Sequence, residues 1–122
     1  FTAYVIPNVL IDGYDVVTNK PKAEPYRAPD APNAAYAAEQ VVNDLAAELG
    51  LDPIDFRLKN AAHEGTVRPD GLKNPRIGCV EVLEAMKNHA HYDTSVDGTY
   101  KGRGVAIGSG STSASTPRAT SA

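Results

Sequence analysis

Residues 33–60, NAAYAAEQVVNDLAAELGLDPIDFRLKN, decide how the chain is read. From Asn33 to Leu49 no proline or glycine intervenes, and Ala34, Ala37, Ala38, Val41, Val42 and Leu45 recur at steps of three and four. That spacing lays them along one stripe of an α-helix. Glu39, Asn43, Asp44 and Glu48 fall mostly off the stripe, and Gly50 suits the left-handed position just past a helix end. Asp52-Pro53-Ile54-Asp55 then starts a second helix, with Asp52 as cap, Pro53 in the first turn and Asp55 at the positive end. It runs through Phe56, Leu58 and Asn60. Arg57 reads as a helix-end charge and Asn60 as a cap, both structural. An alanine-rich stripe offers little apolar area per residue, so the first helix needs a larger structure to hold it.

Working outward, Asn19 to Pro32 carries Pro21, Pro25, Pro29 and Pro32. Proline removes N–H donors and biases the preceding residue toward extended geometry, so this stretch reads as a stiffened loop. Ahead of it, Tyr4–Ile6, Val9–Ile11 and Tyr14–Thr18 are β-branched and aromatic, with Asp12-Gly13 as a turn signal. They predict two or three short strands or a hairpin, too small to be stable alone. Downstream, 65–75 reads as a polar loop, a third helix begins near Gly78 and runs to about Asn88, and Val105–Ile107 reads as a short glycine-flanked strand. The expected fold class is α+β. Residues 1–108 carry the pattern, and 109–122 form a Ser/Thr-rich tail expected to be disordered.

Across its 122 residues the chain has a net charge of −3 and no Lys/Arg cluster, which argues against nucleic acid as a partner. No apolar run reaches bilayer-spanning length. Cys79 stands alone, so an intrachain disulfide framework and a multi-cysteine metal site are excluded, and a reducing compartment such as the cytoplasm fits.

The order and spacing of several short runs resemble the molybdenum hydroxylase family, the molybdopterin-binding large subunits of xanthine dehydrogenases and aldehyde oxidases. These runs are Tyr4–Asn8, Val17–Asn19, Pro25-Tyr26-Arg27-Ala28-Pro29-Asp30-Ala31-Pro32, Glu39, Leu49–Asn60, Ile77–Leu83 and Lys101–Gly108. The resemblance implies an internal slice of a longer subunit, whose other parts and iron–sulfur and FAD partners lie elsewhere. It implies a molybdenum ion held by a pterin dithiolene, often as a dinucleotide in bacteria. The implied reaction is hydroxylation of an aldehyde or N-heterocycle carbon with oxygen from water. The glutamate that serves the family as base has no counterpart here, so this stretch is expected to be inert alone, with no tightly bound cofactor.

Arg27 matches the arginine that lies against the molybdenum centre in that family, and the neighbouring Ala28 belongs to the same cofactor-binding motif. A guanidinium is permanently charged and donates in a fixed fork, which suits an oxo ligand or an anionic pterin. The plainer reading is a surface arginine. Pro29 sits where relatives often place a substrate-packing aromatic, or simply stiffens the loop. Asp30 replaces the family's usual glycine, which weakens the expectation of cofactor affinity; it also suits a helix cap. Glu39 matches a family glutamate and is expected either to support the Arg27 loop from an inward-facing position or to be a solvated helix charge. His89 and His91 lack a third ligand nearby and read as exposed. Cys79, at a helix start, reads as a small apolar residue, with the helix terminus tending to lower its pKa. Asp30 and the tail also leave open a second class of protein, a stand-alone α+β interaction module or a degenerate relic that has kept the scaffold and lost the chemistry.

Overall fold

Three helices are arranged around a small core in the computed structural model, which describes residues 3–21 and 30–108. Helix α1 spans Asp30–Glu48, α2 spans Pro53–Asn60 and α3 spans Cys79–Lys87. Helix α1 begins three residues earlier than the sequence pattern indicates. Pro32 is compatible with this because the first-turn N–H groups have no intrahelical partner to lose. At its other end Gly50 takes φ +63°. The Gly50 N–H donates to Ala47 O at 3.0 Å and the Leu51 N–H to Ala46 O at 2.9 Å, a glycine-terminated closure that only a residue tolerant of positive φ makes cheaply.

Helix α2 follows after a four-residue link, residues 49–52. The Asp52 Oδ1 accepts from the N–H groups of Ile54 at 2.8 Å and Asp55 at 3.0 Å, satisfying two of the helix's orphan donors. Its inner face carries Ile54, Arg57 and, just beyond the last turn, Ala61. Ile54 and Leu83 of α3 are fully buried and form the apolar core with Ala61, flanked by Leu58, Cys79, Val80 and Tyr92.

The strands expected of an α+β fold are not there: among the described residues there are three helices and no strand. Tyr4 makes one isolated antiparallel bridge to Ala61, flanked by Val5 N–H to Asn60 O at 2.8 Å and Ala62 N–H to Ala3 O at 2.9 Å. Beyond it, residues 7–18 have no bridge partner among the described residues, and Leu10, Ile11 and Val17 are exposed. No hairpin forms at Asp12-Gly13. The physical reason is that β propensity measures fit to a pleated, half-buried surface, and a strand exists only as one side of a ladder. Val105–Ile107 fails as a strand for the same reason and is held by side chains instead. Residues 22–29 and 109–122, and with them most of the proline-rich loop and the Ser/Thr-rich tail, lie outside the described residues. Among the described residues no helix is long and apolar enough to cross a membrane.

Candidate functional site

Two charged side chains meet where α1, α2 and the 105–107 segment converge. Glu39 projects from the middle of α1 and is 4% exposed, and Arg57 projects from α2 and is wholly buried. The Arg57 Nε and Nη2 both donate to Glu39 Oε2, at 3.0 and 2.8 Å. Nη2 also reaches Asn43 Oδ1 at 2.8 Å and Val105 O at 3.0 Å, while Nη1 donates to Pro53 O at 2.9 Å. The carboxylate is shared in turn. Its Oε2 accepts the Ile107 N–H at 2.9 Å, and its Oε1 accepts the Tyr4 phenol at 2.5 Å. Burial pushes the Tyr4 phenol well above its usual pKa, with the hydrogen bond to Glu39 and its negative charge adding to the effect. A planar guanidinium can serve this many acceptors because its donors are fixed in one fork.

This node ties together four stretches far apart in sequence: the N-terminal segment, α1, α2 and the 105–107 segment. The N–H of Ile107 and the O of Val105, which a neighbouring strand would otherwise engage, go to Glu39 and Arg57. Buried backbone polar groups need partners of some kind, and here they are ionic side chains.

Beside the node, α2, α3 and residues 103–105 enclose a groove of about 970 Å³, with Ile54, Val82 and Met86 among its apolar lining. Tyr92, His91 and Arg103 contribute polar groups to it. The Tyr92 phenol donates to Asp52. Burial and that carboxylate push the phenol up to about 12. Arg103 is held by the carbonyls of Tyr92 and Thr94. Lys87 of α3 pairs with Asp55 of α2 at the surface.

Of the residues singled out from sequence, Glu39 lies at the node, whereas Arg27, Ala28 and Pro29 lie outside the described residues. The structure gives Glu39 partners in Tyr4, Arg57 and Ile107. His89 and His91 are both exposed past the end of α3, the His91 N–H donating to His89 Nδ1 at 3.1 Å. Among the described residues no three His, Cys, Asp or Glu side chains gather as a metal site. The Cys79 thiol departs from expectation. Burial, then the nearby carboxylates of Glu81 and Glu39, push its pKa up rather than down. Arg57 does lie in the last turn of α2, as expected of a structural helix-end charge, but it is wholly buried and forms the centre of the network. Its position carried the signal, since it lies three residues after Ile54 and four before Ala61, on the same inner face. Tyr4, one residue of an apolar run, gave no comparable sign.

Comparison with known proteins gives this arrangement its family. Residues 1–61, half of the chain, match the molybdopterin cofactor-binding domain. The chain belongs to that family. It is 39% identical over 89 residues to the nicotinate dehydrogenase large molybdopterin subunit of Eubacterium barkeri, covering 71% of this chain and 21% of that subunit. It is 40% identical over 68 residues to a xanthine dehydrogenase molybdenum-binding subunit of Escherichia coli O157:H7, covering 55% of this chain and 9% of the relative. With an aldehyde oxidoreductase of Megalodesulfovibrio gigas the identity is 31% over 84 residues, 69% of this chain and 9% of the relative. The chain therefore corresponds to a segment of molybdenum-hydroxylase large subunits, about a fifth or less of their length. No solved structure matches it.

Proposed function

We propose that this chain supplies part of the cofactor-binding wall of a molybdenum hydroxylase, with the loop carrying Arg27, Ala28 and Pro29 facing the cofactor and the α1–α2 unit behind it. The observation that carries the reading is the continuous family match over residues 1–61, which takes in the Arg27 loop, Glu39 and Arg57 together. The donor chemistry suits the group. A metal carried by an organic dithiolene needs no His, Cys or carboxylate ligand set from the protein; it needs hydrogen-bond donors for anionic oxygens, and Arg27 and the Ala28 N–H are such donors. Pro29 would form the pocket wall on the substrate side. Bound there, the cofactor supplies oxidation chemistry at carbon with water as the oxygen source. The complete protein on this reading hydroxylates an aldehyde or N-heterocycle carbon. The second relative class is named for xanthine and the first for nicotinate, both N-heterocycles, and the third for aldehydes. Electrons would leave through iron–sulfur and flavin partners in the cytoplasm, where the free Cys79 thiol would stay reduced.

The test is Arg27→Ala in the complete subunit, with Arg27→Lys beside it. Losing a charge-assisted donor to an anion is worth about 1.5–3 kcal/mol, or roughly tenfold to a hundredfold in affinity. Molybdenum per subunit, measured by mass spectrometry after dialysis, should fall accordingly in the alanine variant, with lysine restoring part of it. Full molybdenum content in the alanine variant would remove Arg27 from the cofactor site.

A further inference from the structure

We infer that the groove between α2, α3 and residues 103–105 seats an apolar segment of the same large subunit, and that a carboxylate on that segment pairs with Arg103. Neither the Arg27 loop nor the cofactor enters, so failure of the reading given above leaves this one intact.

Arg103 is a permanent cation on the groove wall. It is fixed to the main chain: Nη1 donates to Tyr92 O, and Nη2 donates to Thr94 O and, at 2.9 Å, to Thr94 Oγ1. These acceptors are neutral, and among the described residues no carboxylate pairs with Arg103. A guanidinium carries five N–H donors, so some remain for a further acceptor. The neighbouring negative charges are already engaged. Asp52, also on the wall, accepts from the Ile54 and Asp55 N–H groups and from the Tyr92 phenol. Asp55 pairs with Lys87. His89 and His91 add no negative charge. The groove therefore presents one uncompensated charge, and it is positive. The wall that bears it is locked through Tyr92, whose phenol reaches Asp52 and whose carbonyl holds Arg103.

The apolar lining points to a peptide segment. Val82 is 57% exposed and Met86 37%, beside the fully buried Ile54. A small-molecule pocket encloses about 70–90% of its ligand, whereas a wall this open suits a chain segment laid along two short helices. An apolar segment covering the groove takes water away from Arg103, and a desolvated cation needs a counter-charge. That charge must come from the occupant, since the groove has none to spare. The stretch shared with this chain is 21% of the Eubacterium barkeri subunit and 9% of the Megalodesulfovibrio gigas protein. Relatives thus carry several times this length in the same polypeptide, and a tethered segment meets the groove at high effective concentration.

The experiment uses the complete subunit in its assembled enzyme. Met86 is the single methionine of residues 1–122. With the groove filled, dilute peroxide should oxidise Met86 at least about tenfold more slowly in the folded enzyme than in urea, read by mass spectrometry. Equal oxidation in both states overturns the inference. Val82→benzoylphenylalanine, a photoreactive side chain, identifies the occupant, with Val67→benzoylphenylalanine as a control outside the groove. His89→benzoylphenylalanine is the second attachment point if the first variant does not fold. The expected product is a crosslink to one apolar segment of the same subunit that contains Asp or Glu. A segment without a carboxylate, or one from another subunit, overturns the inference. Arg103→Glu should speed Met86 oxidation about tenfold to a hundredfold, the effect of losing one charge-assisted hydrogen bond. Replacing the occupant's carboxylate by arginine in that background should recover part of the protection, which loss of the Tyr92 and Thr94 contacts alone would not allow. An unchanged oxidation rate in Arg103→Glu, or no recovery on charge exchange, overturns the pairing.

Discussion

Tyr4 shows how much of this structure hangs on single polar atoms. Its phenol is the donor to Glu39 Oε1, which has no second donor among the described contacts. Tyr4→Phe keeps the ring and the bridge to Ala61 but leaves a buried carboxylate oxygen unsatisfied. Such an orphan costs about 1–3 kcal/mol. The loss should be read in the complete subunit as faster amide exchange in α2, and a change under about 0.5 kcal/mol would show that water reaches Oε1. The same phenol predicts an alkaline limit. Its folded-state pKa lies above the unfolded value near 10, so the folded form holds its proton longer. The stabilisation is complete below about pH 10 and is lost as pH rises beyond it. Tyr92, pushed up to about 12, contributes with the same sign. Tyr4→Phe should flatten part of this alkaline decline in exchange protection, and an unchanged decline would assign it to Tyr92 and other groups.

At the scale of elements, what was legible in the sequence is what is decided locally. The Asp52-Pro53 start and the Gly50 stop of the two neighbouring helices are each settled within a few residues, and both sit where the spacing puts them. Strands are settled by partners far away, so the β-branched runs at 4–18 and 105–107 carried propensity without a ladder. The burial of Arg57 and its pairing with Glu39 were not legible for a related reason. A charge on an inner helix face makes sense only once Glu39, eighteen residues earlier, is seen beside it. The Asp52 cap yields a prediction at this scale. Burial works against ionisation of its carboxyl, but the Tyr92 phenol, the Asp55 and Ile54 N–H groups and the Lys87 charge outweigh it and hold the pKa below the usual aspartate value. Its stabilisation is therefore present above about pH 4 and lost as pH falls through the lower, folded-state value. Asp52→Ala should destabilise α2 by about 1 kcal/mol, within a range of roughly 0.5–2. Asp52→Asn should retain most of the cap at neutral pH and lose its share of the acid dependence. Exchange rates of the α2 amides from pH 3 to 7 check both. Equal acid sensitivity in the asparagine variant and the parent would place the titrating group elsewhere.

At the scale of the molecule, the described core is small for the surface it leaves open. Ile54 and Leu83 are the only large aliphatic side chains among the described residues that are fully buried. Leu10 at 86% exposure, Ile11 at 67% and Val17 at 93% belong to one extended stretch that nothing among the described residues covers. Apolar patches on that scale mark surfaces that are covered in use. The relatives are several times longer than the stretch they share with this chain, so covering material is available in proteins of this family. Helix α1 has the same need, since its alanines contribute little apolar area and its buried grip is ionic. A buried ion pair costs desolvation energy and is weak evidence for stability; it fixes geometry in a structure whose stability comes from elsewhere. The 122-residue chain expressed alone should therefore unfold over a broad urea range, with a slope below the roughly 1–3 kcal/mol/M of small cooperative proteins, and should bind a hydrophobic dye in the absence of denaturant. Helical circular dichroism should persist, because the caps at Asp52 and Gly50 act locally. A single sharp transition of ordinary slope without dye binding would mean that α1, α2 and α3 close a sufficient core by themselves, and that the open apolar stretch at residues 7–18 needs no cover.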